Sequence, residues 1–99
     1  MTAVQRFAEF GASFGERPSD PEVVHHAKRA VIDWYAALFP GAVVAPATLL
    51  EKALVDDLDH GAAELALGRK ATARAAALIN GTAAHTAEVD DIYRHAIYH

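Results

Sequence analysis

The chain has 99 residues, 53% of them hydrophobic, and nine basic against thirteen acidic residues leave a net charge of −4. That length corresponds to one domain, 1–99, and excludes a second full one; the acidic balance, with no Lys/Arg stripe to neutralise a phosphate backbone, excludes nucleic acid as a partner. Because 23 residues are alanine, which loses no side-chain freedom in a helix and lets backbones approach closely, the composition predicts an all-α bundle of about four helices around a thin core.

Val4, Phe7, Phe10, Gly11 and Phe14 recur at steps of three and four, which predicts a first helix over about 2–14 with the phenylalanine stripe in the core. Gly15 to Pro18 breaks it. Ser19, Asp20, Pro21 and Glu22 then supply a cap, an early proline and a Ser-x-x-Glu pattern. In the second helix Val23, Ala27, Ala30, Val31, Trp34 and Leu38 share one face, with Trp34 expected in the core and His25 and His26 at the surface, and Pro40 and Gly41 are expected to stop it. A third helix is predicted over about 46–59, with Leu50, Ala53, Leu54 and Leu58 inward and His60-Gly61 as its stop. Glu64-Leu65-Ala66-Leu67 alternates like a strand, but an isolated strand has nothing to pair with, so an extended connector followed by a turn over Gly68–Ala71 is expected. From Thr72 a last long helix runs through Ala75, Leu78, Ile79, Thr82 and Thr86, with Asn80 and Gly81 as weak points.

No run of about 18 apolar residues could span a bilayer, and the start lacks the basic-then-apolar order of a secretory signal. The absence of cysteine excludes disulfides, thiolate nucleophiles and cysteine-bound zinc. A cytoplasmic protein without a membrane partner is therefore expected.

The chemistry is concentrated at the end. Between His85 and His99 lie three histidines, three carboxylates, two tyrosines and an arginine, the kinds of group that general acid–base work requires. In order come Asn80-Gly81, Ala84-His85, Glu88, Asp90-Asp91 and a closing His99. This order resembles the signature of the MmgE/PrpD family, which includes 2-methylcitrate dehydratase, cis-aconitate decarboxylase and iminodisuccinate epimerase. Phe7-Ala8-Glu9-Phe10, Pro21-Glu22-Val23-Val24 and Ala27-Lys28-Arg29-Ala30 also resemble the way these proteins begin, so the similarity covers nearly the whole chain.

The resemblance implies proton abstraction beside a carboxylate, then elimination, decarboxylation or re-protonation of a di- or tricarboxylic acid, with no metal or organic cofactor. Residue by residue it reaches Asp91 or Asp90 as an acid–base or substrate-orienting carboxylate, His99 as a proton-transfer or carboxylate-binding group, and His85 as a group that positions them. A carboxylic acid beside an anionic substrate is pushed toward its protonated form, and a histidine transfers protons in either direction near neutral pH. The family's proteins are several times longer, which implies a helical domain continuing beyond His99 and a separate α/β domain with further catalytic groups. The chain is thus expected to be a catalytically silent piece of a lyase or isomerase, taking a carboxylic-acid substrate only once the rest is restored.

Plainer readings stand beside these. Asp90-Asp91 as a solvated pair, His85 as a hydrogen-bonded structural histidine, and a stand-alone helical binding or assembly module, covering its bare surface as a homo-oligomer, all fit the same residues. Asp91, His95 and His99 would align at steps of four if the last helix continued, but three ligands from one terminal helix would leave a metal exposed and without supporting partners, so no metal is expected.

Overall fold

A computed structural model of the chain describes residues 1–93 and 95. Four α-helices, α1 (Ala3–Phe14), α2 (Pro21–Ala42), α3 (Ala47–Ala53) and α4 (Ala73–Thr86), are joined by a 3-10 turn, Val55–Asp57, and a two-stranded antiparallel sheet of β1 (Leu58–Glu64) and β2 (Lys70–Ala71). The fold is mainly helical, and the sheet corrects the all-α expectation.

Three of the four helices start where a side chain takes up orphan amide hydrogens; α3, which begins after Pro46, has no side-chain cap. Thr2 and Gln5 form a reciprocal capping box on α1, Asp20 accepts from the Glu22 amide at 2.8 Å on α2, and Thr72 accepts from the Ala75 amide at 3.3 Å on α4. Asp20, rather than Ser19, therefore caps the second helix. Pro40 and Gly41 do not stop α2, which runs on to Ala42. Proline this near the end removes a single amide donor, and the final turn is held by packing, since Ala37, Leu38, Gly41 and Ala42 are all buried.

The predicted third helix is shorter than expected. Leu58 is buried, but on β1, and His60-Gly61 lies inside that strand rather than at a helix stop. Asp59 and Gly61 both have positive φ, 65° and 93°, and the register slips between Leu58 and Ala63, both of which face Ala71. A Cβ on Gly61 would lie 2.4 Å from the Ala71 carbonyl oxygen, so only glycine permits this approach. The partner for β1 is the two-residue segment Lys70–Ala71 that the sequence marks as a turn; the reversal itself is made by Leu65–Arg69, where the Leu65 amide donates to Arg69 at 2.8 Å.

The core sits between the C-terminal half of α2, α4 and the sheet. Eight of the twelve buried apolar residues among those described are alanine, joined by Leu38, Leu58, Leu65 and Ile79. Small side chains allow a close crossing of α2 and α4, and at Gly41 the backbones nearly touch: a Cβ there would fall 1.8 Å from the Ala83 carbonyl oxygen. Asn80, read as a weak point of the last helix, is a clamp. Its Oδ1 accepts from the Ala66 amide and its Nδ2 donates to the Glu64 carbonyl, both at 3.0 Å, which ties the edge of β1 to α4. Asp57 does the same at the N-terminus of α4, accepting from the Thr72 hydroxyl at 3.2 Å and from Arg74 at 3.0 Å.

The phenylalanine stripe and Trp34 are not core. Phe7 is 77% exposed, Phe10 54% and Phe14 55%, α1 buries no residue, and Val23, Val31 and Trp34 of α2 are exposed as well. Periodicity identifies which face is apolar, but it does not say that the same chain covers it.

Candidate functional site

The site is built where α4 ends. Thr86 is its last residue, and the chain leaves through Ala87 and Glu88, the latter at φ 52°, with the Glu88 amide donating to the His85 carbonyl at 3.0 Å. This reversal folds the next residues back on the helix, so that His85 Nδ1 lies 3.0 Å from Asp90 Oδ2 and 3.3 Å from Oδ1. The two groups differ in setting: the Asp90 side chain is 13% exposed and that of His85 is 61%. The hydrogen bond to Asp90 holds the His85 pKa above its ordinary value, the Asp90 charge adds to this, and Glu88 contributes less. A cation in the last turn also meets the negative end of the helix dipole.

Two clefts meet at His85. One, of about 310 Å³, is lined by Ala30, Asp33 and Trp34 of α2 and by Gly81, Ala84, His85, Asp90 and Asp91. The other, of about 690 Å³, runs along the far side of α4 past Leu78, Thr82 and Glu88 to Pro46. Asp33, Ala30 and Asp91 also border a third hollow that carries His26 and Arg29.

The structure thus brings together three of the four residues singled out from sequence: His85 and Asp90 in direct contact, and Asp91 on the wall of the same cleft. His99 lies outside the described residues. The helix does not continue past Thr86, so Asp91 and His95 do not stand on a common helical face, and among the described residues no three His, Cys, Asp or Glu side chains are placed to hold a metal ion. His25 and His26 are exposed, as expected. Also among the described residues, no single helix is long and apolar enough to cross a membrane.

Sequence reasoning missed Asp33 and Trp34, which reach the cleft only because α2 and α4 cross at Gly41, a pairing that no local pattern announces. It also missed the cluster on the sheet. Arg69 donates to Asp59 from Nε at 2.8 Å and from Nη2 at 2.7 Å, with Glu51 at 3.4 Å, while Lys70 pairs with Glu64. The hydrogen bond from Arg69 holds the Asp59 carboxyl below its usual range, and that from Lys70 does the same for Glu64. The Asp59 and Glu64 pairs are exposed and fasten β1 to β2 and the reversal before it, and the half-buried Glu51 adds a link from α3, so their role is local.

Neither a curated protein nor a solved structure matches the chain. The family comparison does: the MmgE/PrpD N-terminal domain matches residues 5–99, which takes in both the opening helices and the cleft around His85 and Asp90. The chain therefore belongs to the MmgE/PrpD family, within its N-terminal domain.

Proposed function

We propose that this chain forms one wall of the active site of a cofactor-independent lyase or isomerase acting on di- or tricarboxylic acids, in the manner of 2-methylcitrate dehydratase. The observation that carries the proposal is the His85–Asp90 contact at the rim of a cleft that Asp91 also lines. An imidazole and carboxylates within one small volume supply both directions of proton transfer, as elimination beside a carboxylate requires.

The same geometry argues that this wall is silent by itself. Asp33, Asp90 and Asp91 line the cleft, and among the described residues His85 is its only basic side chain, so these groups together repel a substrate bearing two or three carboxylates. Arg29 and His26 stand in the adjoining hollow. Productive binding therefore calls for cations beyond those of the described cleft, and the cleft, open on one side, does not exclude water.

Amide chemical shifts of the labelled chain, followed while citrate-type tricarboxylates are titrated in, test the proposal together with a turnover assay on 2-methylcitrate and cis-aconitate. The expected outcome is weak binding with shifts centred on His85, Asp90, Asp91 and Trp34, and no turnover. Shifts confined to the Arg69 and Lys52 surface would refute the site, and turnover by this chain alone would refute the requirement for a second wall.

A second reading rests on a different observation. The apolar faces of α1 and the N-terminal half of α2 are uncovered, with Val4 78%, Phe7 77% and Val23 57% exposed, which suits an assembly module that pairs with its own copy. Sedimentation equilibrium decides: a chain that stays monomeric at high concentration counts against this reading.

A further inference from the structure

We infer that Asp90 and His85 act as a dyad in which Asp90 fixes the proton of the neutral imidazole on Nδ1, leaving Nε2 as the proton acceptor at the cleft rim. This divides the labour of the adjacent carboxylates and moves the base from aspartate to histidine.

The inference follows from donor and acceptor counting. A carboxylate only accepts hydrogen bonds, and both Asp90 oxygens face Nδ1, at 3.0 and 3.3 Å. Nδ1 must therefore carry a hydrogen. A neutral imidazole has one N–H, so its lone pair lies on Nε2. The burial pattern matches these roles, because the orienting carboxylate is 13% exposed and the imidazole it orients is 61% exposed, where two clefts meet.

Among the described residues, the charged groups around His85 are Asp90, Asp91 and Glu88 from the segment after α4 and Asp33 from α2, and Ala45 and Pro46 approach from the segment before α3. All four are carboxylates, and they favour the imidazolium once Nε2 has taken a proton.

The role in turnover rests on the lyase or isomerase reading, whereas the dyad does not. In that role the C–H bond beside a substrate carboxylate breaks and an Nε2–H bond forms. The electron pair stays on the substrate, and Asp90 remains ionised against the imidazolium.

The test is nitrogen-15 NMR of the histidine rings on the whole chain, with His85 assigned by His85→Gln. Above the His85 titration midpoint the wild type is expected in the Nδ1–H form, the reverse of the form an unrestrained imidazole prefers. Asp90→Asn should lower the midpoint toward 6.5 and lose the tautomer preference, and Asp90→Glu should restore part of both. A wild-type Nε2–H form, or a midpoint indifferent to Asp90→Asn, overturns the dyad; if the Asn variant does not fold, the wild-type tautomer alone decides. An intact dyad whose signals do not respond to tricarboxylates supports the dyad and counts against the weak binding expected of this wall, so the two failures are distinct.

Discussion

Adding one methyl group at Gly41 tests how the two main helices are held. Its carbon would sit 1.8 Å from the Ala83 carbonyl oxygen, 2.7 Å from the carbonyl carbon and 3.1 Å from Cα, all of them backbone atoms that cannot rotate away. Restoring ordinary contact means opening the α2–α4 crossing by about 1.5 Å, and on a steep dispersion potential a gap of that size forfeits most of the attraction between the facing atoms. Overpacking of this kind costs about 3 kcal/mol, against which alanine returns roughly 0.5–1 kcal/mol of helix propensity. A net loss of at least about 2 kcal/mol lowers the melting temperature of a domain this size by on the order of 10–15 °C. Gly81 provides the matched control. It is interior to α4, its added Cβ would meet nothing within 4 Å, and Gly81→Ala should therefore raise the melting temperature by a few degrees. Thermal unfolding followed by circular dichroism reads both. A Gly41→Ala protein that melts at or above the wild type would refute the reasoning, because it would mean that the crossing has slack.

Other consequences can be checked on the same protein. Asn80→Ala strands the Ala66 amide and the Glu64 carbonyl, so urea unfolding should show a loss of roughly 1–3 kcal/mol, and Asn80→Asp, which can accept but not donate, should recover only part of it. Thr72→Ala removes the cap of α4 and should cost about 1 kcal/mol by the same measurement, with Thr72→Ser close to neutral. His85 has a raised pKa in the folded chain, so its contribution to stability is complete below about pH 6.5 and is lost as pH rises through the folded value; stability measured across this window should fall in the wild type and flatten in Asp90→Asn. Asp59 and Glu64 behave oppositely. Their lowered pKa values contribute stability above the ordinary carboxylate range that disappears on acidification, and Asp59→Asn, which tolerates the positive φ, should weaken that acid-side loss.

Helix identity was legible from local rules. The starts at Asp20 and Thr72 are written in cap residues, and the period of α1 appears in four apolar positions. What local rules could not see were decisions made by distant contacts. Pro40 stays helical because the turn around it is buried, and Lys70–Ala71 is a strand because Ala63 and Glu64 lie opposite. The candidate site divides the same way. His85, Asp90 and Asp91 are near neighbours in sequence and were found there, whereas Asp33 and Trp34 join them only through the α2–α4 crossing. The core assignment failed for Phe7, Phe10 and Phe14 because an apolar stripe states a need for cover without naming its source.

That bare stripe has a kinetic consequence. A twelve-residue helix that buries nothing relies on its own hydrogen bonds and its Thr2–Gln5 box, and isolated helices of this length are marginal in water. Amide hydrogens of α1 should therefore exchange with solvent almost as fast as those of a free peptide, while those of α4 open only when the whole domain unfolds. Anything that settles on Phe7, Phe10 and Phe14 will announce itself by slowing exchange in α1 first, before any other signal changes.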